Sequence, residues 1–80
     1  MEPTASNVKK VIEESLNCAL PNSEKNLFEL GYLDSLQSVT LIVKLEKSFQ
    51  VKLSALDFAD DANYTLNNIT DIIRRNARRN

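Results

Sequence analysis

The feature that most constrains this chain is one apolar helical run, entered through a long connection that holds the only glycine of the sequence. At about 100° per residue, Val39, Leu41, Ile42, Leu45 and Phe49 fall on one broad arc, which must be covered by the rest of the chain. The spacing predicts a helix over residues 35–49. Residues 21–34 ahead of it form a connection longer than the roughly 2–8 residues usual between packed helices. Such a segment needs anchors, and Leu27, Phe28, Leu30 and Leu33 are suited to that task. Gly31 is expected to supply a turn with positive φ just before the helix.

Two further helices and one short element complete the pattern. Val8, Val11, Ile12, Ser15, Leu16 and Ala19 follow the spacing of an amphipathic helix over about residues 5–20, with Thr4 or Ser6 as its cap and Pro21 as its end. Cys18, one heptad after Val11, reads as a small half-buried apolar residue, because no base or cation is fixed beside it. A short element is expected over about residues 54–60, with Leu53, Leu56 and Phe58 as its apolar contacts. Thr65 caps a last helix, residues 66–78, that carries Leu66, Ile69, Ile72, Ile73 and Ala77. The alternation from Gln50 to Leu53 is short and has no strand partner. The expected architecture is all-α, a four-helix bundle of three main helices and one short one, forming a single domain over residues 1–80.

Eighty residues hold a small core, but an enclosed pocket with a supporting shell of side chains is hard to build at this size. The chain has no histidine and one cysteine. A self-contained Ser-His-Asp site is therefore excluded. No metal-ligand cluster, paired general acid and base or glycine-rich phosphate loop is visible, so the chain reads as no enzyme, with neither catalytic nor metal-binding residues. A single cysteine forms no internal disulfide, and no apolar run is long enough for a signal segment or a membrane span. The expectation is a monomer in the cytoplasm with no membrane insertion.

Charge is unevenly spread. Residues 1–73 carry six lysines against eleven acidic residues, a balance of −5, whereas Arg74, Arg75, Arg78 and Arg79 give the last seven residues +4. The basic tail raises a competing reading, a small helical nucleic-acid-binding module. Against it, the acidic remainder repels phosphate and no helix shows a basic recognition face. Cations at a helix C-terminus are also favoured by the helix dipole.

The tripeptide Asp34-Ser35-Leu36 opens the central helix. Aspartate at an N-cap and serine in the first turn are common ways to start a helix. Here they also leave a serine hydroxyl exposed beside free backbone N–H groups, where the dipole favours an attached phosphodiester by about 0.3–1 kcal/mol. Leu36 and Val43 fall off the apolar arc and share the outer side with Gln37, Thr40, Lys44 and Lys47, a candidate partner-binding patch. A purely structural protein-interaction domain explains that patch but leaves Ser35 without a purpose.

From about Val8 to Ile73 the chain resembles acyl carrier proteins. The resemblance rests on Phe28, Leu30, Gly31, Asp34-Ser35-Leu36, Val39, Leu41, Leu45, Glu46 and Phe49, and on the closing Thr65, Ile69, Ile72 and Ile73. It implies a four-helix domain that carries acyl or aminoacyl groups as thioesters on covalent 4′-phosphopantetheine. Carried over residue by residue, Ser35 bears the prosthetic group, Asp34 assists its attachment, and Leu36 and Val43 lie on the docking helix. The implied partners are a phosphopantetheinyl transferase, an acyl- or amino-acid-activating ligase and downstream acyl-transfer enzymes. One departure matters. Carriers of bacterial fatty-acid synthesis usually present an acidic second helix, whereas here Lys44 and Lys47 face Glu46 alone. The pattern Asn26-Leu27-Phe28-Glu29, then Gly31-Tyr32-Leu33-Asp34-Ser35 and later Asp57-Phe58 is more similar to stand-alone aminoacyl carriers, such as D-alanyl carrier proteins. That implies a specialised pathway, with fatty-acid synthesis as the alternative within the class.

Overall fold

The computed structural model describes residues 1–21 and 25–78; Arg79, counted above in the basic tail, lies outside them. Thr4 opens the first helix, α1 (Ala5–Leu16), its Oγ1 accepting the Asn7 N–H at 3.1 Å. The helix is shorter than its apolar spacing predicted. It stops at Asn17, which turns left-handed with φ 55° and directs its N–H to the Glu13 carbonyl. Asparagine tolerates this conformation better than most residues, so the stop comes before Pro21 can act. The Glu13 carboxylate then accepts the Leu20 N–H at 2.7 Å, which holds the chain in its new course. Ala19, placed on the apolar stripe by spacing, is exposed as a result.

The second helix, α2 (Ser35–Phe49), ends by the same device. Gln50 is left-handed with φ 53°, and its N–H bonds to the Glu46 carbonyl. The Val51 N–H reaches that carbonyl at 3.2 Å, and the Glu46 carboxylate accepts the Leu53 N–H at 2.9 Å. Residues 50–53 are therefore a fastened exit from the helix, and no strand occurs among the described residues.

The short element is two 3₁₀ turns, Ala55–Phe58 and Asp61–Asn63. Ser54 and Asp57 close a capping box around the first, and Asp60 caps the second by accepting the Ala62 N–H at 2.9 Å. Phe58 is buried, whereas Leu56, expected as a core contact, is 84 % exposed. Ala55, one 3₁₀ turn before Phe58, is exposed as well, so Phe58 is the one buried residue of this turn.

Helix α3 (Leu66–Arg78) starts at Thr65, whose Oγ1 accepts the Asn68 N–H at 3.1 Å. Ile69, Thr70, Ile72 and Ile73 are buried, and the Thr70 hydroxyl is satisfied by donating to the Leu66 carbonyl at 2.7 Å. Near its end, Arg74 donates to the Pro3 carbonyl at 2.9 Å, which ties α3 to the entry of α1. Arg75 pairs with Asp71 on the surface, an exposed ion pair of the kind that contributes little.

Helix α1 packs against both α2 and α3. Val8, Ile12, Leu41, Leu45, Ile69, Ile72 and Ile73 are fully buried where the three helices meet. The fold is thus all-α and of the expected carrier-protein kind, three helices with short 3₁₀ turns in place of the fourth.

Removing Leu45 empties the centre of this cluster, whereas Leu36 lies outside it. Leu45→Ala is expected to cost about 2–5 kcal/mol and Leu36→Ala no more than about 0.5 kcal/mol. Urea melts of the two variants check the difference; equal losses would contradict the burial described.

Candidate functional site

Asp34 is the N-cap of α2, with extended backbone at φ −117° and ψ −177°. Its Oδ1 accepts the Gln37 N–H at 2.8 Å, and its carbonyl takes the Ser38 N–H at 2.9 Å. That leaves the N–H groups of Ser35 and Leu36 with no hydrogen-bond partner among the described residues, as at any helix start. Ser35 is the first residue of the helix, and it is exposed. Its hydroxyl likewise makes no hydrogen bond among the described residues. An exposed hydroxyl, two free backbone donors and the positive end of the helix dipole together suit a phosphodiester.

The approach to this serine is set by the preceding loop. Asn26 Oδ1 accepts the Glu29 N–H at 2.9 Å, and the Leu30, Gly31 and Tyr32 N–H groups return to the carbonyls of Asn26, Phe28 and Leu27. Gly31 sits at φ 80°, as its position predicted. A Cβ built there meets nothing within 4 Å, so the demand is for the backbone conformation rather than for space.

Sequence reasoning missed the residue that locks this loop, Tyr64. Its carbonyl accepts the Leu27 N–H at 2.9 Å. Its ring meets Phe28 edge-on, with centroids 4.9 Å apart, and Phe58 at 5.2 Å in a tilted pair. Burial pushes the phenol above its usual pKa of 10.0; hydrogen bonding with the Ser38 side chain pulls it back, and the nearby Asp61 carboxylate adds to the rise. Ser38 is itself buried and donates to the Ser35 carbonyl at 2.8 Å. Tyr64 thus joins the loop to the 3₁₀ turns and to the entry of α3. A signal was present: an aromatic residue directly before the cap Thr65, five before Ile69, has the spacing of a hydrophobic staple.

The helix is rotated relative to the expected arc. Ser38, Leu41, Leu45 and Phe49 form the buried line, and Ile42 is half-buried. Val39, assigned to the core by spacing, is 58 % exposed. At about 100° per residue it lies well over 90° from the centre of the buried line, and Ser38 takes the inward place, its hydroxyl satisfied by the Ser35 carbonyl. Val39 joins Leu36 at 77 % and Val43 at 43 % in one outward apolar stripe. Gln37, Thr40, Lys44 and Lys47 are all exposed beside it. Glu46, the single acid of the helix, is half-buried with its carboxylate engaged by Leu53.

Cys18 is half-buried. A cleft of about 720 Å³ opens between α1, the loop and the start of α3, lined by Lys9, Leu20, Leu27, Leu30, Leu66 and Asn68 among others; no residue of α2 borders it. Among the described residues no group of acidic, cysteine or histidine side chains is arranged to hold a metal ion, and no helix is long and apolar enough to cross a membrane.

Comparison with known proteins places these features in a family. The family model described as phosphopantetheine attachment site matches residues 6–74. The D-alanyl carrier protein of Streptococcus uberis is 37 % identical over 51 residues, covering 64 % of this chain and 65 % of that protein. Those of Streptococcus pyogenes serotypes M5 and M1 are each 39 % identical over 51 residues, covering 64 % of this chain and 61 % of theirs. The chain therefore spans just under two thirds of the length of these curated relatives. No solved structure matches.

The raised pKa of Tyr64 has a consequence for stability. An acid whose pKa is higher when folded contributes stability that is present below its unfolded value, near 10, and is lost as the pH climbs through the folded value. Urea melts at pH 9 and pH 11 should show Tyr64→Phe losing less stability over that interval than the wild type.

Proposed function

The chain belongs to the phosphopantetheine attachment site family, and from that premise we propose that Ser35 bears the 4′-phosphopantetheine and that the chain presents acyl or aminoacyl groups to partner enzymes. The observation that carries the residue assignment is the exposed, unengaged Ser35 hydroxyl directly behind the Asp34 cap. When bound, the prosthetic group supplies a thiol on a flexible arm, to which a carried group is joined as a thioester. The chain's own part is presentation. Ser35 offers the oxygen that becomes esterified, and its N–H with that of Leu36 faces the phosphate charge. Asp34 keeps one carboxylate oxygen on Gln37 to fix the turn, which leaves the other to orient the hydroxyl or meet a transferase's magnesium ion.

In this reading the protein works as a cytoplasmic monomer without catalytic residues of its own. A phosphopantetheinyl transferase installs the arm, a dedicated ligase activates and loads a small acid, and a downstream enzyme removes it. An amino acid is the favoured cargo, because the relatives at 37–39 % identity are named for D-alanine. The helix also supports a specialised pathway over fatty-acid synthesis. Gln37 and Thr40 stand on its outer side where fatty-acid carriers often show carboxylates, and Lys44 and Lys47 are exposed beside them.

Incubation with coenzyme A, magnesium and a broad-specificity phosphopantetheinyl transferase should add one phosphopantetheine to the wild type by intact mass, and none to Ser35→Ala, with the fold of the variant retained by circular dichroism. Modification of the variant, or none of the wild type, would sink the assignment. Asp34→Asn tests the charge separately from the cap. Asparagine caps as well as aspartate does, whereas Asp34→Ala costs about 0.5–2 kcal/mol. Attachment should slow at least about tenfold, roughly 1.4 kcal/mol, in both variants, while only the alanine variant melts earlier.

A further inference from the structure

The apolar stripe on α2 has a polarity that the charge count of the sequence hides. Summed over the helix, Lys44, Lys47 and Glu46 leave +1. The fold removes Glu46 from this surface by giving its carboxylate to the Leu53 N–H at 2.9 Å in a half-buried position. Neither Lys44 nor Lys47 forms an ion pair among the described residues. Around the helix axis both lysines follow Thr40 along the same side of the stripe formed by Leu36, Val39 and Val43. Along the axis, at 1.5 Å per residue, they stand about 14 Å and 18 Å beyond Ser35. Asp34, ahead of Ser35, holds the Gln37 N–H at the helix start. The face is therefore an apolar strip that is cationic at the end far from the serine.

We infer that this face docks a partner protein whose contact surface is an apolar patch edged by carboxylates, the carboxylates lying about 14–18 Å from the point that meets Ser35. The inference deepens the proposed function and rests on Ser35 marking the working end of the helix. Charge complementarity selects the occupant. Two unpaired lysines attract an acidic edge and repel a basic one, and the three exposed aliphatic residues need an apolar counterpart to leave water. A phosphate joined to Ser35 adds negative charge at the near end and leaves the far end unchanged. The polarity is then steeper, and it opposes the reversed docking orientation more strongly.

The test uses two helical peptides of about 18 residues, ~27 Å long, with the same leucine stripe, one edged by glutamates and the other by lysines. Each is titrated into the ¹⁵N-labelled chain at low salt. The glutamate peptide should bind at least about tenfold more tightly than the lysine peptide, with amide shifts centred on Leu36, Val39, Val43, Lys44 and Lys47. Lys44→Glu with Lys47→Glu should reverse the preference, and raising the salt should shrink it. Equal affinities, a preference for the lysine peptide, no binding of either at millimolar concentration, or shifts elsewhere would each overturn the inference. Ser35→Ala titrated in parallel should keep the preference. If the attachment assay fails at Ser35 while this preference stands, the attachment reading is lost and the docking polarity is retained.

Discussion

The contact on which the rest of the structure depends is the one between Leu27 and Tyr64. A single backbone hydrogen bond of 2.9 Å joins them, and the rings of Phe28 and Phe58 close around the phenol. The contact ties the connection between α1 and α2 to the start of α3, beyond the hold that Glu13 has on Leu20 and the burial of Leu27 and Leu33. Aromatic pairs of this kind add about 0.5–1.5 kcal/mol beyond the area they bury. On α2 itself the Ser38 hydroxyl donates to the Ser35 carbonyl, and Ser38 lies inward with Leu41, Leu45 and Phe49 while Leu36, Val39 and Val43 point outward. The Leu27–Tyr64 contact sets the approach to the serine.

The two helix exits show how a small domain economises on turn residues. Only one glycine is present, so α1 and α2 end on Asn17 and Gln50 in the left-handed conformation. That conformation is costly for residues other than glycine. In each case a glutamate four residues earlier offsets the cost. Its carbonyl takes two N–H groups, and its carboxylate takes a third, seven residues ahead. Hydrogen bonds to a charged acceptor contribute about 1.5–3 kcal/mol, enough to hold both exits. In α2 the device also withdraws the only acid from a surface otherwise bearing two lysines.

Local chemistry was legible in the sequence, and rotation was not. Caps are short-range choices, so Thr4, Asp34 and Thr65 act where their types and positions predicted, and Gly31 takes the positive φ that its place demanded. Leu36 and Val43 were also read as outward, because they lie far from any plausible apolar arc. Val39 and Ser38 were not separable in this way. A valine outranks a serine by hydrophobicity, yet Ser38 is buried with its hydroxyl satisfied by the Ser35 carbonyl and Val39 is exposed. The early end of α1 has a related cause, a carboxylate that competes for backbone N–H groups. The outward Leu56 belongs to a four-residue 3₁₀ turn, too short for a repeating apolar face. The site followed the same division: the tripeptide was visible, and the clamp behind it was not.

Leu27 and Tyr64 lie 37 residues apart, and closing a loop of that length carries an entropic cost that no local helix formation repays. Helix α2 has its own cap and can begin to form from nearby contacts alone. The turn that aims its first residue is closed by Tyr64, from beyond the whole of that helix. Presentation of the serine is thus a non-local property, completed by a contact between residues far apart in the chain. A peptide cut to residues 26–49 would keep every residue of the tripeptide and its helix, yet it would lack the closure that gives them a fixed direction.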